Sequence, residues 1–106
     1  MLLINLISYF RSGGTFESFC EAQRLNANSE VIEIYAQIPV SAESCLGFFP
    51  IEESRGKTNL TVKGLLYQNL FDFFYFLEVI EDVKGNTLMG DAELAQILLV
   101  YALTDA

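Results

Sequence analysis

Histidine is absent from this 106-residue chain. Its absence removes the commonest general base, the Ser-His and Cys-His nucleophile systems and every zinc site built on imidazole. Cysteine is scarce as well. Cys20 and Cys45 stand far apart in no CxxC or metal-ligand spacing, so a cysteine protease lacks its base and an all-cysteine zinc site lacks thiols. Their mostly apolar neighbours predict ordinary buried thiols, reduced in the cytosol, with a single disulfide between them as the alternative. Basic residues number 6 against 14 acidic ones, for a formal charge of −8 and a pI near 4.2. That balance works against direct contact with nucleic-acid phosphates or an anionic membrane.

Long apolar runs are missing too. The richest stretch, Leu65 to Ile80, is interrupted by Gln68, Asn69, Asp72 and Glu78 and falls short of the roughly 20 apolar residues that a bilayer requires. The opening MLLINLISYF has no basic residue ahead of its apolar run, carries Asn5 and Ser8 and runs straight into Arg11. It reads as a docked first helix and not as a signal peptide. The expected compartment is the cytoplasm. No internal repeat, sustained heptad seam or low-complexity segment is present, which disfavours solenoids and long coiled coils.

Half of the residues are apolar, enough for one domain with a core of its own and no metal or disulfide staple. Leu3, Leu6, Ile7 and Phe10 recur at helical spacing before Ser12-Gly13-Gly14, and Thr15 can cap a second helix through Phe16, Phe19 and Cys20 to about Leu25. Val31, Ile34, Tyr35 and Ile38 follow the helical period as far as Pro39. The string VIEIYAQI is also β-branched and partly alternating, so a short strand near residues 31–38 is the alternative, and it would make the fold α+β. Ser41 can cap a short helical turn through Ala42, Cys45 and Leu46, followed by an extended Phe48-Phe49-Pro50. Ile51 to Asn59 has the composition of an exposed loop.

From Leu60 to Lys84 the spacing predicts one long helix with Val62, Leu65, Leu66, Asn69, Phe73, Phe76, Leu77 and Ile80 on one face and Gly85 as its stop. Tyr67, Phe71, Phe74 and Tyr75 fill the other side, the pattern of a helix central to a fold. Asp91 caps a last helix through Leu94, Ile97, Leu98, Tyr101 and Ala102. The expected architecture is all-α, a compact single-domain bundle of about five helices, residues 1–106, around that aromatic-rich centre.

Catalytic readings find little support. Gly56-Lys57-Thr58 resembles the tail of a phosphate-binding loop, but Ile51 stands where its first glycine belongs. Asn59-Leu60-Thr61 matches a glycosylation sequon by chance. Glu78 with Asp82, or Glu52 with Glu53, could supply an acid and a base, but solvated charge is the simpler reading. No metal or cofactor is expected, and no catalytic residue is assigned. Asp72 interrupts Phe71, Phe73, Phe74, Tyr75 and Phe76. Either it meets a wet strip or a buried hydroxyl, or it joins Tyr67, Gln68 and Tyr75 on an exposed aromatic-acidic surface.

An acidic chain of this kind fits a protein that binds a basic partner, since charge complementarity speeds encounter and rejects wrong partners. The candidate contact residues are Glu52, Glu53, Tyr67, Asp72, Tyr75, Glu78, Glu81 and Asp82. In size, acidity, lack of catalytic residues and aromatic core the chain resembles the small bacterial immunity proteins encoded beside toxins, especially those of contact-dependent growth inhibition. The resemblance implies a cognate toxin domain, commonly a nuclease, held in a one-to-one complex with its active cleft covered. A structural or regulatory subunit of an oligomer is the second expectation, and a small carboxylate-dependent enzyme the third.

Overall fold

The first two elements form where their spacing and caps place them. In the computed structural model, which describes residues 1–104, α1 (Leu3–Arg11) buries Leu3, Leu6, Ile7 and Phe10. Each such side chain contributes about 1.5–3 kcal/mol on leaving water. α2 (Phe16–Gln23) starts at Thr15, whose hydroxyl accepts from the Ser18 N–H at 3.2 Å. It ends where Arg24 turns left-handed, at φ 58°, and the Leu25 N–H donates back to the Cys20 carbonyl at 2.8 Å.

The next segments overturn the all-α expectation: the chain is α+β. Among the described residues it forms five helices and a four-stranded antiparallel curled sheet, in the order α1, α2, β1 (Ile32–Gln37), β2 (Leu46–Pro50), α3 (Ile51–Ser54), β3 (Asn59–Val62), β4 (Leu65–Asp72), α4 (Phe73–Asp82) and α5 (Asp91–Thr104). The sheet order is β2-β1-β4-β3. VIEIYAQI takes its strand alternative. β-Branched residues stiff at χ1 fit a pleated surface, and the alternation sends Ile32, Ile34 and Ala36 to the core while Glu33, Tyr35 and Gln37 face the other way.

The long helix predicted over 60–84 is three elements instead. β3 and β4 form a hairpin with Val62 paired to Leu65 across the two-residue turn Lys63-Gly64. Both turn residues have positive φ, 51° and 82°. Two such residues make the tight reversal whose twist matches its strands, and glycine at the second relieves the steric cost there. Between β1 and β4 the register moves one residue on β1, from Ile34 to Tyr35, and two on β4, from Phe71 to Asn69. Leu70 is therefore the extra residue of a bulge, and both Leu70 and Phe71 are buried.

Two smaller expectations also change. Residues 41–46 hold no helix: the Ser41 N–H donates to the Ser44 hydroxyl at 2.8 Å and the Glu43 N–H to the Ser41 hydroxyl at 3.1 Å. These short side-chain bonds offer the backbone a turn in place of helix. The loop expected from Ile51 to Asn59 opens with the single turn of α3, whose Ser54 is fully buried.

α1, α2, α4 and α5 cover one face of the sheet. Phe73, the first residue of α4, sits at the centre of their aromatic packing, with ring centroids 5.7 Å from Phe10, 5.1 Å from Phe16, 5.4 Å from Phe19, 6.0 Å from Phe48 and 5.7 Å from Phe76. One side chain thus joins α1, α2, β2 and α4. The Arg11 guanidinium, at the end of α1, donates to the carbonyls of Met89 at 2.8 Å and Asn86 at 3.0 Å and pairs with Asp91 at 3.0 Å. Asp91, expected as a helix cap, is the first residue of α5 and spends its carboxylate on this clasp.

The opposite face of the sheet carries a row of edge-on rings, Tyr35 against Phe49 at 5.5 Å and Phe49 against Tyr67 at 5.7 Å. Gly47 makes room for them: a Cβ there would lie 2.7 Å from the Phe49 ring and 3.2 Å from that of Tyr67. The Tyr35 hydroxyl donates to the Lys57 carbonyl, which ties the segment after α3 over this face.

Candidate functional site

The eight residues proposed from the sequence lie in different parts of the molecule. Glu52 and Glu53 are exposed in α3, where Glu52 accepts weakly from the Glu30 N–H at 3.4 Å. Glu53 borders a groove of about 300 Å³ whose apolar lining comes from Phe49, Leu60 and Val62. Tyr67 belongs to the ring row on the same side of the sheet. Tyr67, Asp72 and Tyr75 do not share a helix face, because β4 carries the first of them and α4 the last.

Asp72 ends β4 and caps α4. Its backbone is extended, with φ −80° and ψ 162°, and its carboxylate accepts from the Tyr75 N–H at 2.7 Å. The partner is thus one of the orphan N–H groups of a helix start, neither a buried hydroxyl nor solvent alone. This bond places Tyr75 in the first turn, where its ring stacks on Tyr101 of α5 with centroids 4.6 Å apart and planes 15° from parallel. Asp72, Tyr75 and Tyr101 border a groove of about 340 Å³ together with Thr58 and Asn69.

The three remaining carboxylates of α4 are exposed, and helical spacing divides them. Tyr75, Glu78 and Asp82 follow one row at i, i+3 and i+7. Glu81 lies on another, with Leu77 and Lys84, beside a cavity of about 360 Å³ that Phe10, Arg11 and Phe16 also line. The Lys84–Glu81 pair, 3.9 Å apart and largely exposed, adds little.

The sequence reading missed the outer face of α5. Ile97 and Tyr101, read on one line of the last helix with Leu94, Leu98 and Ala102, are 47% and 37% exposed, and Val100 and Leu103 are 50% and 47% exposed. Leu94, Ala95, Leu98, Leu99 and Ala102 take the buried side. The signal was the unbroken run ILLVYAL, which leaves a helix no polar side to turn outward. α5 packs on α1 and β4, with Arg11 of α1 holding its first turn, and it meets α4 through the Tyr75–Tyr101 stack near its end. Together α4 and α5 carry five carboxylates and no lysine or arginine.

Glu33, half-buried on β1, accepts from the Ser54 hydroxyl and the Asn69 amide, both at 2.8 Å, and so links α3 to β4. Burial is the main cause that raises the Tyr35 hydroxyl above its ordinary pKa, with Glu33 adding to it against the opposing hydrogen bonds of Ser54 and Asn69. Burial, then the charge of Glu17, raises the Cys20 thiol, which keeps it from the reactive thiolate form. Cys45, expected to be buried, is exposed, and neither cysteine is bridged. Among the described residues no group of three or more His, Cys, Asp or Glu could hold a metal ion. No helix there is long and apolar enough to cross a membrane. Compared with known protein families, characterised proteins and solved structures, the chain matches none.

Proposed function

We propose that this chain is an inhibitor of the immunity type, which binds a basic toxin domain one-to-one in the cytoplasm and neutralises it by covering its active cleft. A nuclease is the class of toxin that fits best. Its cleft attracts phosphates, and carboxylates presented to that cleft compete for the same lysines and arginines. The observation that carries the reading is the one-sided charge of α4 and α5, where Glu78, Asp82 and Glu93 form no ion pair among the described residues, beside exposed aromatic and aliphatic side chains. This is the composition of an interface with an apolar centre and a charged rim. The chain acts by binding and needs no cofactor.

The uncovered apolar residues of α5 favour a second reading, a structural or regulatory subunit of an oligomer. One experiment separates the two: capture with the tagged chain from its native cell extract at low salt, a high-salt wash, and mass spectrometry of what is retained. The inhibitor reading expects a single basic protein in one-to-one ratio, whose cleavage of DNA or RNA stops when the chain is added. Recovery of the bait alone, migrating as an oligomer, replaces the inhibitor reading with the subunit reading.

A further inference from the structure

Resting on the inhibitor reading, we propose that the outer face of α5, continued through the Tyr75–Tyr101 stack to the acidic row of α4, is the surface that docks the basic partner. Ile97, Val100 and Tyr101 share one side of the helix at i, i+3 and i+4, and each is between 37% and 50% exposed. Tyr101 is already held by its stack on Tyr75 at 4.6 Å, so less rotamer freedom is lost when a partner covers it. One carboxylate lies in line with the apolar strip, and two more follow from the ring stack along α4. Glu93 stands one turn before Ile97 on the same helix, and Glu78 and Asp82 extend from Tyr75 along α4.

Charge decides the occupant. A second copy of the chain, docked about a two-fold axis, would bring Glu78, Asp82 and Glu93 of both copies to one rim with no lysine or arginine from either helix to offset them. An anionic membrane or nucleic acid meets the same repulsion. A protein with an apolar centre and a rim of lysine or arginine satisfies both the strip and these carboxylates.

Photocrosslinking in native cells tests the surface. The photoreactive residue p-benzoylphenylalanine replaces Val100 in one variant and Ile97 in a second, both at half-exposed positions. A third variant carries it at Glu52 on α3 as a comparison, and circular dichroism checks each fold. The proposal expects adducts from Val100 or Ile97 with one protein of positive net charge and none from Glu52. Combining Glu78→Lys, Asp82→Lys and Glu93→Lys with the Val100 probe should lower the adduct yield roughly tenfold or more, as for loss of a hot spot. An adduct with a basic protein from Glu52 alone overturns this surface while leaving the inhibitor reading in place. Adducts of the chain with itself overturn both, and the absence of any adduct from Val100 and Ile97 overturns this surface.

Discussion

Asp72 has to satisfy a strand end and a helix start at once, because β4 passes into α4 with no residue between them. Its extended backbone continues the strand while its carboxylate closes the first turn through the Tyr75 N–H. Asp72→Ala should lower stability by about 0.5–2 kcal/mol, the usual worth of such a cap. Each kcal/mol in a chain this size shows as a fall of about 4–8 °C in Tm. Asp72→Asn keeps an accepting oxygen and gives up only the charge at the helix dipole, so its loss should be a few tenths of a kcal/mol. Thermal unfolding of the two variants checks this, and an alanine variant as stable as the parent would remove the cap from the account. The asparagine variant serves a second purpose: lost binding with stability kept would make Asp72 a contact residue as well.

Among the elements, the β3–β4 hairpin depends most on one residue. Gly64 has φ 82°, and nothing lies within 4 Å of where its Cβ would be, so Gly64→Ala meets backbone strain and no clash. Placing an L side chain in that region costs about 1–2 kcal/mol. The urea midpoint should fall accordingly with its slope unchanged, and an unmoved midpoint would show that the turn relaxes at no cost. The Lys-Gly pair between Thr61-Val62 and Leu65-Leu66 was a legible hairpin signal, but the residues after it fit both periods. Leu65, Leu66, Phe73, Phe76 and Leu77 mark a helical stripe, whereas Tyr67, Leu70 and Phe71 serve equally in a strand. Two-sided apolar content arises here because β4 has rings on one face and core on the other, and its bulge buries two successive residues. α1 and α2 were legible because Thr15 and the Ser12-Gly13-Gly14 stop punctuate them. Glu78 and Asp82 were read at helical spacing and stand on one row of α4, whereas Tyr67 and Tyr75, read as one surface with Asp72, fall on a strand and a helix. The apolar half of the candidate site, on α5, stayed hidden because the run ILLVYAL does not say which side its neighbours cover.

At the scale of the whole molecule, its size can be compared directly with the reach of its charge. The principal extents are 39 × 29 × 21 Å. In about 10 mM salt the Debye length is roughly 30 Å, so carboxylates at opposite ends repel one another; in about 0.15 M salt it is roughly 8 Å, and only neighbours interact. Adding salt should therefore stabilise a chain of net charge −8 by relieving self-repulsion. The opposing effect is small. Among the described residues only Arg11–Asp91 and Lys84–Glu81 form ion pairs; the second is exposed, and the first is reinforced by carbonyl hydrogen bonds that salt barely touches. The Tm should rise over this range of sodium chloride, as followed by circular dichroism, and a fall would mean that attraction between charges outweighs repulsion in the folded state. Association with a basic partner should respond in the opposite sense, because screening removes the long-range attraction that steers the two proteins together. Opposite salt responses in the same buffers would thus separate electrostatic steering from any loss of folded protein. If the association rate proved indifferent to salt, the acidic surplus would serve solubility alone and the apolar strip of α5 would have to carry recognition without it.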